Sequence, residues 1–181
     1  MARVRVIGKP GLPDALAELG PWRVRVLVGR NGVTPADKKR ESDGCTPTGV
    51  YRMMYGIYRA DRVPDPLANP TDTTVPGRHL VWIPMAPNMG WCDAAHNPLY
   101  NQFVPVGFPA SHERLWREDA SYDYLLVLDH NSPATPGRGS AIFVHVWDDH
   151  ALHTSGCVAF RKGHLVEMLG RGVNEIEIVQ G

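Results

Sequence analysis

Residues 140–160, SAIFVHVWDDHALHTSGCVAF, constrain the fold more than any other stretch of this chain. Residues 141–147 are apolar and rich in β-branched and aromatic side chains, which suits a buried strand. With alternation of period two, Ile142, Val144 and Val146 share one face, and Phe143, His145 and Trp147 share the other. Twelve residues after His145, the small-residue turn Thr154-Ser155-Gly156 delivers Cys157 into a second apolar run. The segment therefore predicts a buried strand, then a tight, glycine-containing turn that leads Cys157 into a further apolar run.

This arrangement suits a thiol nucleophile and its base. A strand fixes the direction of the His145 imidazole. A cysteine attacks as the thiolate, which a neighbouring imidazole produces by taking the proton. Gly156 lets the backbone approach a substrate carbonyl closely. The N–H of Cys157, with that of Gly156 or Ser155, is a candidate oxyanion hole. The plainer reading stands beside it: most cysteines are inert core residues, and a strand histidine is commonly a hydrogen-bonded core residue. The spacing alone leaves both readings open.

The same residues resemble the signature of the L,D-transpeptidases, the YkuD (ErfK/YbiS) catalytic domain. That signature has a strand histidine followed by Ser-His-Gly-Cys-Ile/Val-Arg. His145 matches the histidine, and Thr154-Ser155-Gly156-Cys157-Val158 matches most of the cysteine motif. Ser155 replaces the motif histidine and Ala159 replaces the motif arginine. The first replacement leaves His145 as the base; the second removes a guanidinium able to fork onto a carboxylate. His153, four residues before Cys157, is a rival base without a fixed aim. Asp43-Gly44-Cys45-Thr46-Pro47-Thr48-Gly49-Val50-Tyr51 is similar to an early segment of the family. Trp91-Cys92-Asp93, Tyr100-Asn101, Glu113 with Trp116, Tyr122-Asp123 and Gly137-Arg138-Gly139-Ser140 resemble a proteobacterial subgroup. The resemblance covers about residues 25–179.

What the resemblance implies is a mainly β, YkuD-like β-sandwich with two short helices and long loops, in one catalytic domain over residues 1–181. It implies a cysteine-dependent acyltransferase that crosslinks peptidoglycan stem peptides, donor and acceptor, through a thioester on Cys157. The product joins residue one or residue three of the donor stem to residue three of the acceptor. Carbapenems are expected to acylate Cys157. No cofactor is needed, a monomer is expected, and the work lies on the cell-wall side, in the periplasm. Two alternatives remain: an L,D-carboxypeptidase or amidase in which water resolves the thioester, and an inactive peptidoglycan-binding module.

The loop residues divide between two readings. Trp91, Tyr100 and Trp116 serve either as an aromatic wall for a stem peptide and its sugar or as caps on a small core. Asn101 and Asn131 hydrogen-bond either peptide backbone or their own turns. Asp93, Glu113 and Arg117 read the charges of a diamino acid or form surface ion pairs of little energy. By position, Glu113 and His112 look like loop residues. Arg138 and Thr154 join Trp91, Asp93, Tyr100, Asn101 and Asn131 as candidate substrate contacts.

Composition narrows the partners. The 181 residues carry 19 basic and 19 acidic side chains, a net charge of zero, so no basic field points to nucleic acid or an anionic lipid surface. No apolar run reaches the length of a membrane helix. Residues 1–10 read as a first strand rather than a secretory signal, although the expected substrate lies outside the cytoplasm. No Cys-x-x-Cys or His-Glu-x-x-His spacing suggests a metal. Cys45 and Cys92 either form a disulfide, leaving Cys157 free, or Cys92 lines the site. Gly 18 and Pro 16, spread along the chain, favour strands and loops.

Strands are expected at 4–7, 22–28, 50–57, 79–83, 124–129, 141–147 and 175–179, and helices at 12–19 and 161–170. Residues 30–44, 61–77 and 84–109 read as loops.

Overall fold

The computed structural model describes residues 2–66 and 79–181. Strands dominate it. The first three, β1 (Ala2–Lys9), β2 (Leu12–Leu19) and β3 (Trp22–Leu27), form a meander, and β4 (Val33–Thr34) pairs in parallel with β5 (Thr46–Pro47). The long β6 (Gly49–Tyr58) is followed by β7 (Trp82–Pro84), then β8 (Met89–Cys92), β9 (Phe103–Pro105) and β10 (His112–Arg114). Last come β11 (Tyr124–Leu128), β12 (Phe143–Val146), β13 (Val158–Phe160), the helix α1 (Lys162–Gly170) and β14 (Val173–Gln180).

The mainly β expectation holds, with one correction. Residues 12–19 form a strand, so α1 is the one α-helix among the described residues. Ala, Leu and Glu there favour a helix, but the segment lies between two turns with glycines at positive φ, Gly11 (76°) and Gly20 (58°). Those turns fold it back against β1 and β3, and ladders along both edges override its propensity. Ala15 and Ala17 then point into the core at period two, while Asp14 and Glu18 pair with Arg25 and Arg23 on the exposed face.

The large sheet runs β11-β12-β13-β3-β2-β1-β14-β6-β7, and β6 pairs with β11 as well. Eight strands thus close on themselves, and β7 is appended parallel to β6. The expected strand at 79–83 begins later, at Trp82, and residues 67–77 of the expected 61–77 loop lie outside the described residues. The 84–109 region is more ordered than a loop: β8 pairs with β9 and with β10 in a three-stranded sheet. No helix among the described residues is long and apolar enough to cross a membrane.

Two clusters hold these layers together. One gathers Val6, Ala17, Val26, Leu126, Val144, Val158, Phe160 and Ile176, and α1 packs Leu165, Met168 and Leu169 onto it. The other joins Ile57, Leu125, Val127 and Phe143 to Trp91 of the small sheet and to Leu115 and Tyr122. Strands β11 and β12 are buried at every position, because one face meets each cluster. Each fully buried aliphatic side chain there contributes about 1.5–3 kcal/mol. Cys157 belongs to the second cluster, so the candidate nucleophile lies where the closed sheet meets the small one.

Candidate active site

Strands β12 and β13 run parallel, with His145 opposite Ala159. The expected alternation holds: Ile142, Val144 and Val146 enter the first cluster, and Phe143 enters the second. His145 and Cys157 line one cavity of about 600 Å³, each 8% exposed. The wall also carries Lys39, Asp93, Glu113, Arg117, Tyr122 and Ser155.

The chain around the sulfur is tightly held. The Cys157 Sγ–H points to the Ala141 carbonyl at 3.2 Å, and Sγ accepts from the Phe143 N–H at 3.4 Å. Gly156 has φ 147°, a conformation that favours glycine, and a Cβ there would meet the Cys45 carbonyl oxygen at 3.0 Å. The Thr154 hydroxyl donates to the Cys157 carbonyl at 2.7 Å and accepts from the Gly156 N–H at 3.1 Å. Thr46, from the Thr-Pro segment, also donates to that carbonyl at 3.3 Å. Thr154 is therefore a brace for the turn rather than a free substrate contact. The Gly156 N–H is likewise committed, which removes it from the expected oxyanion hole. Ser155 is exposed on the cavity wall.

At rest the thiol and imidazole are both neutral. Burial pushes the Cys157 thiol up to about 12; Glu113 adds to this, while the Phe143 N–H, Lys39 and Arg117 oppose it. Burial pushes His145 down to about 4, against the hydrogen bond to the Val146 carbonyl. That bond, Nδ1 to oxygen at 2.8 Å, fixes the tautomer: a carbonyl only accepts, so Nδ1 carries the hydrogen and Nε2 keeps a lone pair. The Tyr122 ring packs edge-on to the imidazole at 5.3 Å and its hydroxyl donates to Glu113. Burial raises the Glu113 carboxyl, and Asp93 raises it further, against the Tyr122 hydrogen bond and Arg117.

Of the expected substrate contacts, Asp93 lines the cavity, with Oδ1 buried and without a hydrogen-bond partner. Trp91, Tyr100, Asn101, Asn131 and Arg138 do not. Trp91 is 4% exposed, packed against Phe103 and Phe143. Tyr100 is buried and donates to Glu41, and Arg138 donates to the Asp37 carbonyl at 3.0 Å. Asn131 closes its own turn through Thr135 and Gly139. Trp116 lies under the Arg59 guanidinium, 3.7 Å from its ring centre. His153 is exposed on the cavity wall, its ring nitrogen 3.2 Å from the Thr154 carbonyl. Cys45, Cys92 and Cys157 are all free thiols, and Cys92 is fully buried away from the cavity.

Asn101 has a supporting part. Its Oδ1 accepts from the Trp91 indole and from the Ala141 N–H, both at 3.0 Å, and its amide donates to the carbonyls of His130 and Asn131. Ala141 is at φ 52°, and its carbonyl receives the Cys157 thiol. Asn101→Ala strands these groups at once, and we expect a loss of roughly 2–4 kcal/mol. Urea unfolding measures it; a change below about 0.5 kcal/mol contradicts this role.

Lys39 was not foreseen. It is 2% exposed, lines the cavity and pairs with Asp43. Its position reflects tertiary packing of a loop, which no local pattern encodes; the signal available was the spacing of Lys39, Glu41 and Asp43, alternate charges just ahead of the Thr-Pro turn. Glu113, expected in a loop, lies on β10 with its carboxyl in the cavity wall.

A strand-borne imidazole and a turn-borne thiol on one cavity wall are the parts of a cysteine acyl-transfer site. The family model YkuD, the L,D-transpeptidase catalytic domain, matches residues 18–174, and the chain belongs to that family. Comparison with curated proteins returns no match.

Proposed function

We propose that this protein is a peptidoglycan L,D-transpeptidase that works through a thioester on Cys157. The observation that carries the reading is the placement of His145, on β12, and Cys157, in the turn that enters the parallel neighbour β13, on one cavity wall in a chain of this family. His145 Nε2 takes the thiol proton as Sγ adds to a donor-stem carbonyl. The Cys157 N–H holds the oxyanion. Collapse breaks the C–N bond, the departing amine takes the proton back from His145, and the acyl group stays on Sγ. An acceptor amine then gives a proton to His145 and displaces the thiolate, which is reprotonated.

Asp93 and Glu113 form an acidic wall beside the nucleophile, suited to an incoming ammonium such as that of a diaminopimelate side chain. The donor residue is the first or the third of the stem. The absence of an arginine at Ala159 favours the first, since no guanidinium there reads a carboxylate next to the third. The substrate puts the work on the cell-wall side of the membrane.

Mass spectrometry of muropeptides tests this, after incubating the protein with tetrapeptide-rich peptidoglycan. We expect new dimers, with fragmentation placing the bond at donor residue one. A bond at residue three corrects the donor; shortened monomers without dimers replace transfer with hydrolysis.

A further inference from the structure

The site has fewer donors for negative charge than its sequence motif promises. The Gly156 N–H is bound to Thr154, and residue 159 is alanine rather than arginine. Yet the wall carries a buried cation. Lys39 is 2% exposed, and its Nζ lies 3.6 Å from where a Gly156 Cβ would be. Gly139 leaves room for its stem: a Cβ there would stand 2.8 Å from the Lys39 Cε. A buried ammonium is costly without a counter-charge, and Asp43 supplies one. Asp43 is held in turn by the N–H groups of Arg40 and Cys45, both at 2.8 Å. Although burial pushes the Asp43 carboxyl up, these bonds and Lys39 bring it below its ordinary value, so the carboxylate is ionised at neutral pH.

We propose that the Lys39 ammonium is the cation of this active site that serves the Gly156-Cys157 turn, holding the negative charge that forms there, first on sulfur and then on the carbonyl oxygen, with Asp43 as its resting counter-ion and Arg117 as a second cation on the cavity wall. The inference rests on Cys157 being the nucleophile proposed above. It places the missing cation on a different element: the loop before β5 instead of β13. The charges that act on the sulfur are Glu113 from β10, Arg117 from the segment after it, and Lys39; Tyr122 interacts electrostatically with the sulfur, and Asp93 and His145 share its cavity wall. Glu113 disfavours the thiolate, while Lys39 and Arg117 favour it. Lys39 has a carboxylate partner, Asp43, that can be altered without touching the cavity wall, as Arg117 has in Asp119; Lys39 is the one buried beside the Gly156-Cys157 turn.

The test is the rate at which iodoacetamide modifies Cys157 between pH 7 and 11, with peptide mapping to separate it from Cys45 and Cys92. It needs no stem peptide, so it is independent of the transpeptidase reading. Lys39→Met is expected to slow Cys157 modification about tenfold at fixed pH, and Lys39→Arg to restore most of the rate. Asp43→Asn, which frees the ammonium from its counter-ion, is expected to speed it. A merely structural clamp predicts the reverse pattern for the pair: both variants move the rate in the same direction, because both break the same contact. That result, or a pH profile unmoved by Lys39→Met, overturns the proposal. Where Lys39→Met fails to fold, Asp43→Asn decides alone, acceleration supporting and slowing contradicting. Opposed shifts in a protein that forms no crosslinks leave Lys39 in this role and refute the transpeptidase reading instead.

Discussion

Cys157→Ala is expected to form no crosslinks above background, a loss of at least about 10⁴-fold in rate relative to the activity proposed here. Alanine cannot form the thioester, and neither remaining thiol replaces it: Cys92 is buried away from the cavity and Cys45 does not line it. The substitution is expected to leave the fold in place. The sulfur makes one weak contact to the Ala141 carbonyl and accepts one from the Phe143 N–H, so the cost is about 1–2 kcal/mol. A folded Cys157→Ala protein that still makes dimers would require another nucleophile.

His145→Gln is expected to lower the rate by about 10²–10⁴-fold near neutral pH, and its pH profile distinguishes a base from a packing residue. Burial holds His145 down to about 4, so the wild-type imidazole is neutral, and able to accept a proton, throughout the neutral range. Wild-type activity should therefore stay level from pH 8 down to about pH 5 and fall only on approach to about 4. An exposed histidine would lose activity near 6.5. In the variant, only solvent hydroxide removes the thiol proton. With the thiol pushed up to about 12, its rate should climb about tenfold per pH unit through pH 11. A wild-type limb near pH 6.5, or a variant with an unchanged profile, contradicts His145 as the base.

The parts legible in the sequence are those set by local pattern. Period-two alternation over 141–147 separated the core face of β12 from the face bearing Phe143 and His145. The apolar runs of β11 and β13 were equally plain, and α1 fell where it was expected. Residues 12–19 misled because helix propensity is a weak local term, and two edge ladders outweighed it. The aromatic and amide residues are a different case: Trp91, Asn101 and Asn131 line a second cavity of about 410 Å³, away from Cys157. Trp91, Asn101 and Asn131 look like recognition groups, but their hydrogen bonds are spent on the framework. Polarity in sequence does not tell whether a group is already satisfied in the fold. Lys39 is the opposite case: a residue type normally solvated, buried because the loop before β5 folds under the cysteine turn.

The thioester itself gives the most direct measurement. The protein is mixed with a donor stem peptide, quenched in acid and examined by intact mass and peptide mapping. The account predicts an acyl group on Cys157, absent from Cys157→Ala and released when an acceptor amine is added. Turnover of the peptide with no adduct on Cys157, or with the acyl group on Cys45 or Cys92, would contradict it.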